Sequence, residues 1–213
     1  MNIFSMDSTF YRIISRLGDL LLLNLLFLLC CIPVVTIGAS VTALYSVLLK
    51  LVRRESGYIV RGFLKAFREN FRQSTILWIL FAGIGVIFYY DILFSDIIGG
   101  TAGSALKVVF LSFGMVYLSV LSYVFAVQSR FENRIGRTVK NAFWMAMGYL
   151  PFTVSILVIE GLPLFVILWK PGGFWRLLPV MLSVGFAGLG YLCAVVFNFI
   201  FKKYMPAAEE EAE

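Results

Sequence analysis

The feature that most limits this chain is an apolar run from Leu17 to Val52, 36 residues long. As one helix it would be roughly 54 Å long at 1.5 Å per residue, against about 30 Å of hydrocarbon in a bilayer. A single span cannot hold it. In its middle stands "CCIPVVTIGAS", residues 30–40. Pro33 removes an N–H donor and pushes Ile32 out of the helical region. Thr36 is then placed to cap a following helix through its hydroxyl, and Gly38 to admit a close backbone. The run therefore reads as two helices, roughly Thr9–Ile32 and Thr36–Arg53, joined by a turn at "PVVTIG".

Charge placement bears on this hairpin. Arg12 and Arg16 precede the run, and Lys50, Arg53 and Arg54 follow it. Basic residues mark the cytoplasmic side, so both ends lie on one side and the run crosses an even number of times. The rival is one kinked span, five crossings in all, with the amino terminus outside and Arg12 and Arg16 on the wrong face. Alternation then gives spans over Ser74–Phe94, Leu106–Gln128, Asn141–Glu160 and Leu177–Phe201. "IIGGTAGSA" is an outer loop, and the Pro/Gly-broken "GLPLFVILWKPGGFWR" precedes the last span. Of the 18 basic residues, three (Lys107, Lys170, Arg176) fall outside and the rest inside, with both termini cytoplasmic.

Composition agrees with spans throughout. The chain is 61% hydrophobic and 14% charged with a mean hydropathy of +0.91, where soluble domains are about half apolar and a quarter charged. The expectation is an all-α polytopic transmembrane bundle of about six crossings in the cell membrane. It forms a single membrane domain over residues 1–205, followed by a short acidic, solvated tail at 206–213. Met1–Arg16 lacks the short apolar core of a cleavable signal, so the first apolar segment is retained as an anchor. The net charge of +6 belongs with anionic lipid headgroups, and no nucleic acid partner is expected.

Catalytic chemistry finds little to work with. No histidine is present, which removes His-ligated metals and Ser-His or Cys-His nucleophiles. There is no nucleophile elbow, P-loop or dinucleotide fingerprint. Cys30, Cys31 and Cys193 lie in apolar runs without C-x-x-C spacing and read as small buried hydrophobes. No enzymatic activity, metal or cofactor is expected. "GFAGLG" and the small-residue stripe Ser112, Ser119, Ser122, Ala126 read as helix-packing seams.

Two features outside that pattern are candidate sites. Over residues 56–74, "SGYIVRGFLKAFRENFRQS", helical spacing gathers Val60, Phe63, Leu64, Phe67 and Phe71 on one face. Arg61, Lys65, Arg68 and Arg72 gather on the other. The pattern predicts a cytoplasmic amphipathic helix lying on the membrane, rings at the acyl boundary and cations at the phosphates. The alternative is a docking element for a cytoplasmic partner. Inside the spans, Asp19 and Glu160 are candidate intramembrane polar groups. Asp19 is spaced to pair with Arg16 at (i, i+3), and Glu160 closes the fifth span at the outer headgroups.

Three stretches carry a family resemblance: "LLLLNLLFLLCCIPVVTIGASVTALYSVLLKL", "FLKAFRENFRQST" and "TVKNAFWMAMGYLP". They resemble the YesL-like family of bacterial membrane proteins of unknown function, found mainly in Gram-positive bacteria, over residues 10–205. The N-x-L…C-x-P-V-x-T-I-G…T-A-L-Y pattern is the most specific and makes Asn24, Pro33, Thr36 and Gly38 the structural motif. Members are commonly encoded beside carbohydrate ABC-transporter and glycan-degradation genes. The resemblance thus implies an accessory or regulatory component of sugar uptake, with a carbohydrate ABC permease or sensor as partner. It supplies no catalytic or binding residues. A small solute transporter or channel remains the alternative, because broken helices at membrane depth are a transporter device.

Overall fold

A chain this apolar must satisfy its backbone amides internally, and helices are the local way to do so. The computed structural model describes residues 9–55, 57–131, 133–169 and 172–204, with side chains from Ile14 onward, and no strand occurs among them. The helices are α1 (Thr9–Cys31), α2 (Ile37–Val52), α3 (Ile59–Ile98), α4 (Gly100–Arg130), α5 (Ile135–Gly148), α6 (Leu150–Trp169), α7 (Gly173–Val180) and α8 (Phe186–Lys202). A 3-10 turn, Val34–Thr36, leads into α2, and a π turn, Met181–Gly185, joins α7 to α8. Among the described residues, six helical segments are long and apolar enough to cross a membrane. The protein is an all-α polytopic bundle, as the run lengths predict. The acidic tail lies outside the described residues.

Local chemistry sets the turns. Pro33 adopts φ −76° and ψ 117°, outside the helical region, and ends α1. After α2, Arg54 takes a left-handed φ of 59° while Glu55 N–H reaches back to Lys50 O at 3.0 Å, the six-to-one bond of a Schellman ending. Between α3 and α4 the whole connection is Gly99, at φ 63°. The expected outer loop is therefore one residue long, and both flanking helices run further than their apolar cores. The C-terminal ends of α2, α4 and α8 carry Lys50, Arg130, and Lys202 with Lys203. Phe131 packs on Phe201 at 5.4 Å, and Lys203 sits 5.8 Å over the ring of Tyr149. These contacts gather α4, α8 and the α5–α6 corner at one basic end.

The second helix is the centre of the bundle. More than half of the Val34–Val52 segment is buried (56%), against 11% for α6. Tyr45, Tyr123 and Phe197 meet edge to face, at 5.5 and 4.9 Å, and lock α2, α4 and α8 together. Val154, Val158, Leu162 and Phe165 of α6 are exposed. In hydrocarbon such residues need no protein cover, because association there rests on close packing and interhelical hydrogen bonds.

Two boundaries differ from expectation. The fifth span is Leu150–Trp169 and not Asn141–Glu160, because Tyr149 leaves the helix at φ −120°, ψ 46° and separates α5 from α6. Pro151 falls in the first turn of α6, where a missing N–H costs nothing. Pro163 lies inside the helix, tolerated as prolines are in membrane spans. The amphipathic stretch is likewise no separate helix. It is the start of α3, which continues unbroken for 40 residues.

Candidate functional site

The four motif residues bind the hairpin to the rest of the bundle. Asn24 is fully buried, and its side chain donates to the carbonyls of Met181 (3.0 Å) and Leu182 (2.9 Å) and accepts Ala187 N–H (3.0 Å). A side chain inserted in a helical ladder widens it locally, and here the π turn lies at the point of insertion. Thr36 does not cap α2. Its hydroxyl turns back to Cys30 O (2.6 Å), in the last turn of α1, and to Pro33 O (2.7 Å), which also accepts the Thr36 N–H at 3.0 Å. A Cβ on Gly38 would lie 2.5 Å from Ser74 O, 2.6 Å from Trp78 Cβ and 3.1 Å from Phe125 Cε1. The close approach at Gly38 is thus to α3 and α4, not to the other arm of the hairpin.

Polar side chains that sequence reading did not select connect the three familiar stretches. Buried Thr42 and Ser74 hydroxyls meet at 2.8 Å and join the first stretch to the second. Thr138 Oγ1 donates to Gln128 Oε1 (3.0 Å), Gln128 Nε2 to Asn70 Oδ1 (3.2 Å), and Asn70 Nδ2 to Ala66 O (3.0 Å). That chain joins the second stretch to the third. Thr153 Oγ1, 3.0 Å from Tyr123 Oη, bonds Ala146 O at 2.8 Å and Tyr149 O at 3.1 Å, closing the α5–α6 corner. The signal available in sequence was the small hydroxyl or amide residue at helical spacing, which does not name its partner.

The first part of α3 faces both inward and outward. Phe63 is fully buried in the protein core and Phe67 packs against that core, so these rings do not sink into lipid as expected. The rings run along the helix, with Phe63–Phe67 at 6.3 Å and Phe67–Phe71 at 5.5 Å. Phe71 is 40% exposed and Leu64 45%. Arg61, Lys65, Arg68 and Arg72 are exposed, with Arg61 lying 5.3 Å over the ring of Tyr58. Between this part of α3, the end of α4 and the start of α5 lies an open polar cleft of about 1250 Å³.

The corrected fifth span moves Glu160 from the outer headgroups to mid-helix. It follows Tyr149 by roughly 16 Å of helix, about half of the hydrocarbon thickness. Tyr45 Oη of α2 donates to Glu160 Oε1 at 3.4 Å, and Ser122 Oγ of α4 donates to Oε2. No basic group pairs with Glu160 among the described residues. Asp19 lines a small cleft with Arg16, Leu51 and Tyr191. Arg16 reaches Tyr191 Oη at 3.5 Å instead of forming the expected pair with Asp19.

The sequence is similar to known proteins in two ways. Residues 20–92, which span most of α1–α3 and include the whole structural motif, match the family described as "Protein of unknown function, DUF624". The "Uncharacterized protein YteU" of Bacillus subtilis (strain 168) is 26% identical over 163 residues, 75% of this chain and 72% of that one. No solved structure matches. The chain is therefore an integral membrane protein, similar over its first three helices to a family of unknown function and over three quarters of its length to an uncharacterised bacterial protein.

Proposed function

We propose that the protein is an accessory or regulatory component of sugar uptake in the cell membrane, acting by contact with a carbohydrate ABC permease or sensor and not by catalysis. The observation that carries this reading is the length of α3, 40 residues, where about 20 suffice to cross. Its first part holds Arg61, Lys65, Arg68 and Arg72 and so belongs outside the hydrocarbon. A helical arm fused without a break to a span presents a rigid surface to a partner. Leu64, Arg68 and Phe71 are among the exposed groups on it. The positive-inside rule puts the basic end, this arm and both termini in the cytoplasm, where a permease's nucleotide-binding subunits sit. Sugar uptake as the process comes from the YesL-like resemblance and its genomic company.

The test is to purify the tagged full chain from its own membranes. A carbohydrate ABC permease co-elutes, and Leu64→Glu with Phe71→Glu removes it while the variant still folds. Elution without any permease contradicts the proposal.

One observation favours a second reading. Glu160 stands near mid-membrane with hydroxyl donors from two other helices, and intramembrane carboxylates recur in proton and ion pathways. On this reading the protein is a small solute carrier, and Glu160→Gln abolishes its transport in liposomes.

A further inference from the structure

We propose that the polar cleft at the basic end is a binding site for a polyol phosphate, either the headgroup of phosphatidylglycerol or a soluble sugar phosphate. The cleft's volume, about 1250 Å³, exceeds the roughly 300–1,000 Å³ of ordinary ligand pockets, so it admits a headgroup or a phosphorylated sugar with its water. Four cations from three structural elements line it: Lys65 and Arg72 from α3, Arg130 from the end of α4, and Arg134 at the entry to α5. Glu69 is the one acid of the described lining, and it lies 3.9 Å from Lys65. Among the described lining residues the surplus is positive, and guanidinium forks match phosphate oxygens in a way that a point charge does not.

The rest of the lining suits the other half of such a ligand. Asn70, Gln73, Gln128 and Asn133 contribute amide groups. Asn70 and Gln128 are held in place by the Thr138–Gln128–Asn70–Ala66 chain, and Gln73 Nε2 is held on Asn133 O. Each of these amide oxygens has lone-pair capacity beyond the bonds it makes, so hydroxyls of glycerol or a sugar find oriented partners. Ile135 and Gly136 begin α5 at the edge of the cleft, and no side chain caps that helix start. The first-turn amides add to the positive potential. Phosphate on the arginines and hydroxyls on the amides is the arrangement that this lining supports. The site is independent of whether a permease docks on the outer face of α3.

The experiment uses the purified full chain in phosphatidylcholine nanodiscs. Titration with glucose 6-phosphate is followed by calorimetry, and a second arm replaces part of the phosphatidylcholine with phosphatidylglycerol and counts retained lipid by native mass spectrometry. Binding of glucose 6-phosphate identifies a soluble ligand, and selective retention of phosphatidylglycerol identifies the lipid. Either result supports the site, provided that Arg72→Gln with Arg134→Gln weakens it at least tenfold and Arg61→Gln, a cation outside the cleft, leaves it unchanged. Arg72 and Arg134 are exposed, so the double variant keeps the wild-type melting temperature. Neither ligand binding, or equal binding in the double variant, overturns the proposal.

Discussion

Asn24, in the middle of α1, holds Ala187 of α8 through its backbone N–H at 3.0 Å while donating to the two carbonyls of the adjoining π turn. One side chain thereby joins the first and last spans, 163 residues apart. Replacing it by leucine keeps the branching at Cγ and leaves two carbonyls and an amide without that partner. Asn24→Leu is expected to cost about 1–3 kcal/mol. Asn24→Asp is also destabilising, because it accepts but cannot donate to Met181 and Leu182. Unfolding midpoints in mixed micelles check both; wild-type stability in Asn24→Leu would mean that the bracket contributes nothing.

The other motif residues have a predicted order. Even a methyl on Gly38 collides with Ser74 O, a backbone atom that cannot swing aside, so Gly38→Ala should cost about 1–3 kcal/mol and Gly38→Leu more. Thr36→Ala removes one donor shared between two carbonyls and should cost about 1 kcal/mol. Pro33→Ala should be mildest, since the chain must turn there anyway to return across the bilayer. Thermal unfolding in detergent ranks the three, and a Gly38→Leu variant milder than Pro33→Ala would refute the packing described.

Much of this architecture is legible in the residues, and the failures share a cause. Run lengths and the placement of Arg and Lys give six crossings, because hydrocarbon thickness and charge solvation act on the chain locally. Pro33 reads as a break for the same reason. Thr36 does not cap α2 because a threonine before a helix can cap forward or bond backward, and the carbonyls of Cys30 and Pro33 lie within reach behind it. Glu160 lies further inside its span than expected because Pro163 does not end the helix: α6 starts at Leu150, with Pro151 in its first turn, and continues through Pro163 to Trp169. Amphipathicity placed Phe63 on an apolar face but could not tell lipid from the protein core. The partners of Asn24, Ser74 and Gln128 lie on other helices, and no local pattern names them.

The depth of Glu160 can be read by labelling. In a background with Cys30, Cys31 and Cys193 replaced, a cysteine at Tyr149 should react with a water-soluble maleimide in permeabilised vesicles, and one at Glu160 should not. Comparable reaction at both would return Glu160 to an interface. Glu160→Gln, which keeps an acceptor for Tyr45 or Ser122, should change stability by less than about 1 kcal/mol, whereas Glu160→Leu should cost about 1–2 kcal/mol by leaving Tyr45 Oη unpaired.

Topology makes its own prediction. In the same background, a cysteine at Thr101, beside the Gly99 turn, should react with an impermeant maleimide added to intact cells. A cysteine at Arg54 should react only after the membrane is opened. The reverse pattern would invert the bundle and put the arm of α3 outside the cell.

The proposed role is to serve sugar uptake through contact, without the protein itself moving the solute. Its most direct test is reconstitution of the purified protein alone into liposomes, with a panel of radiolabelled mono- and disaccharides and an imposed proton gradient. The proposed role predicts no more internal label than in empty liposomes, with either orientation of the gradient. Accumulation of any one sugar above that background, abolished by Glu160→Gln, would contradict it and make the protein a carrier.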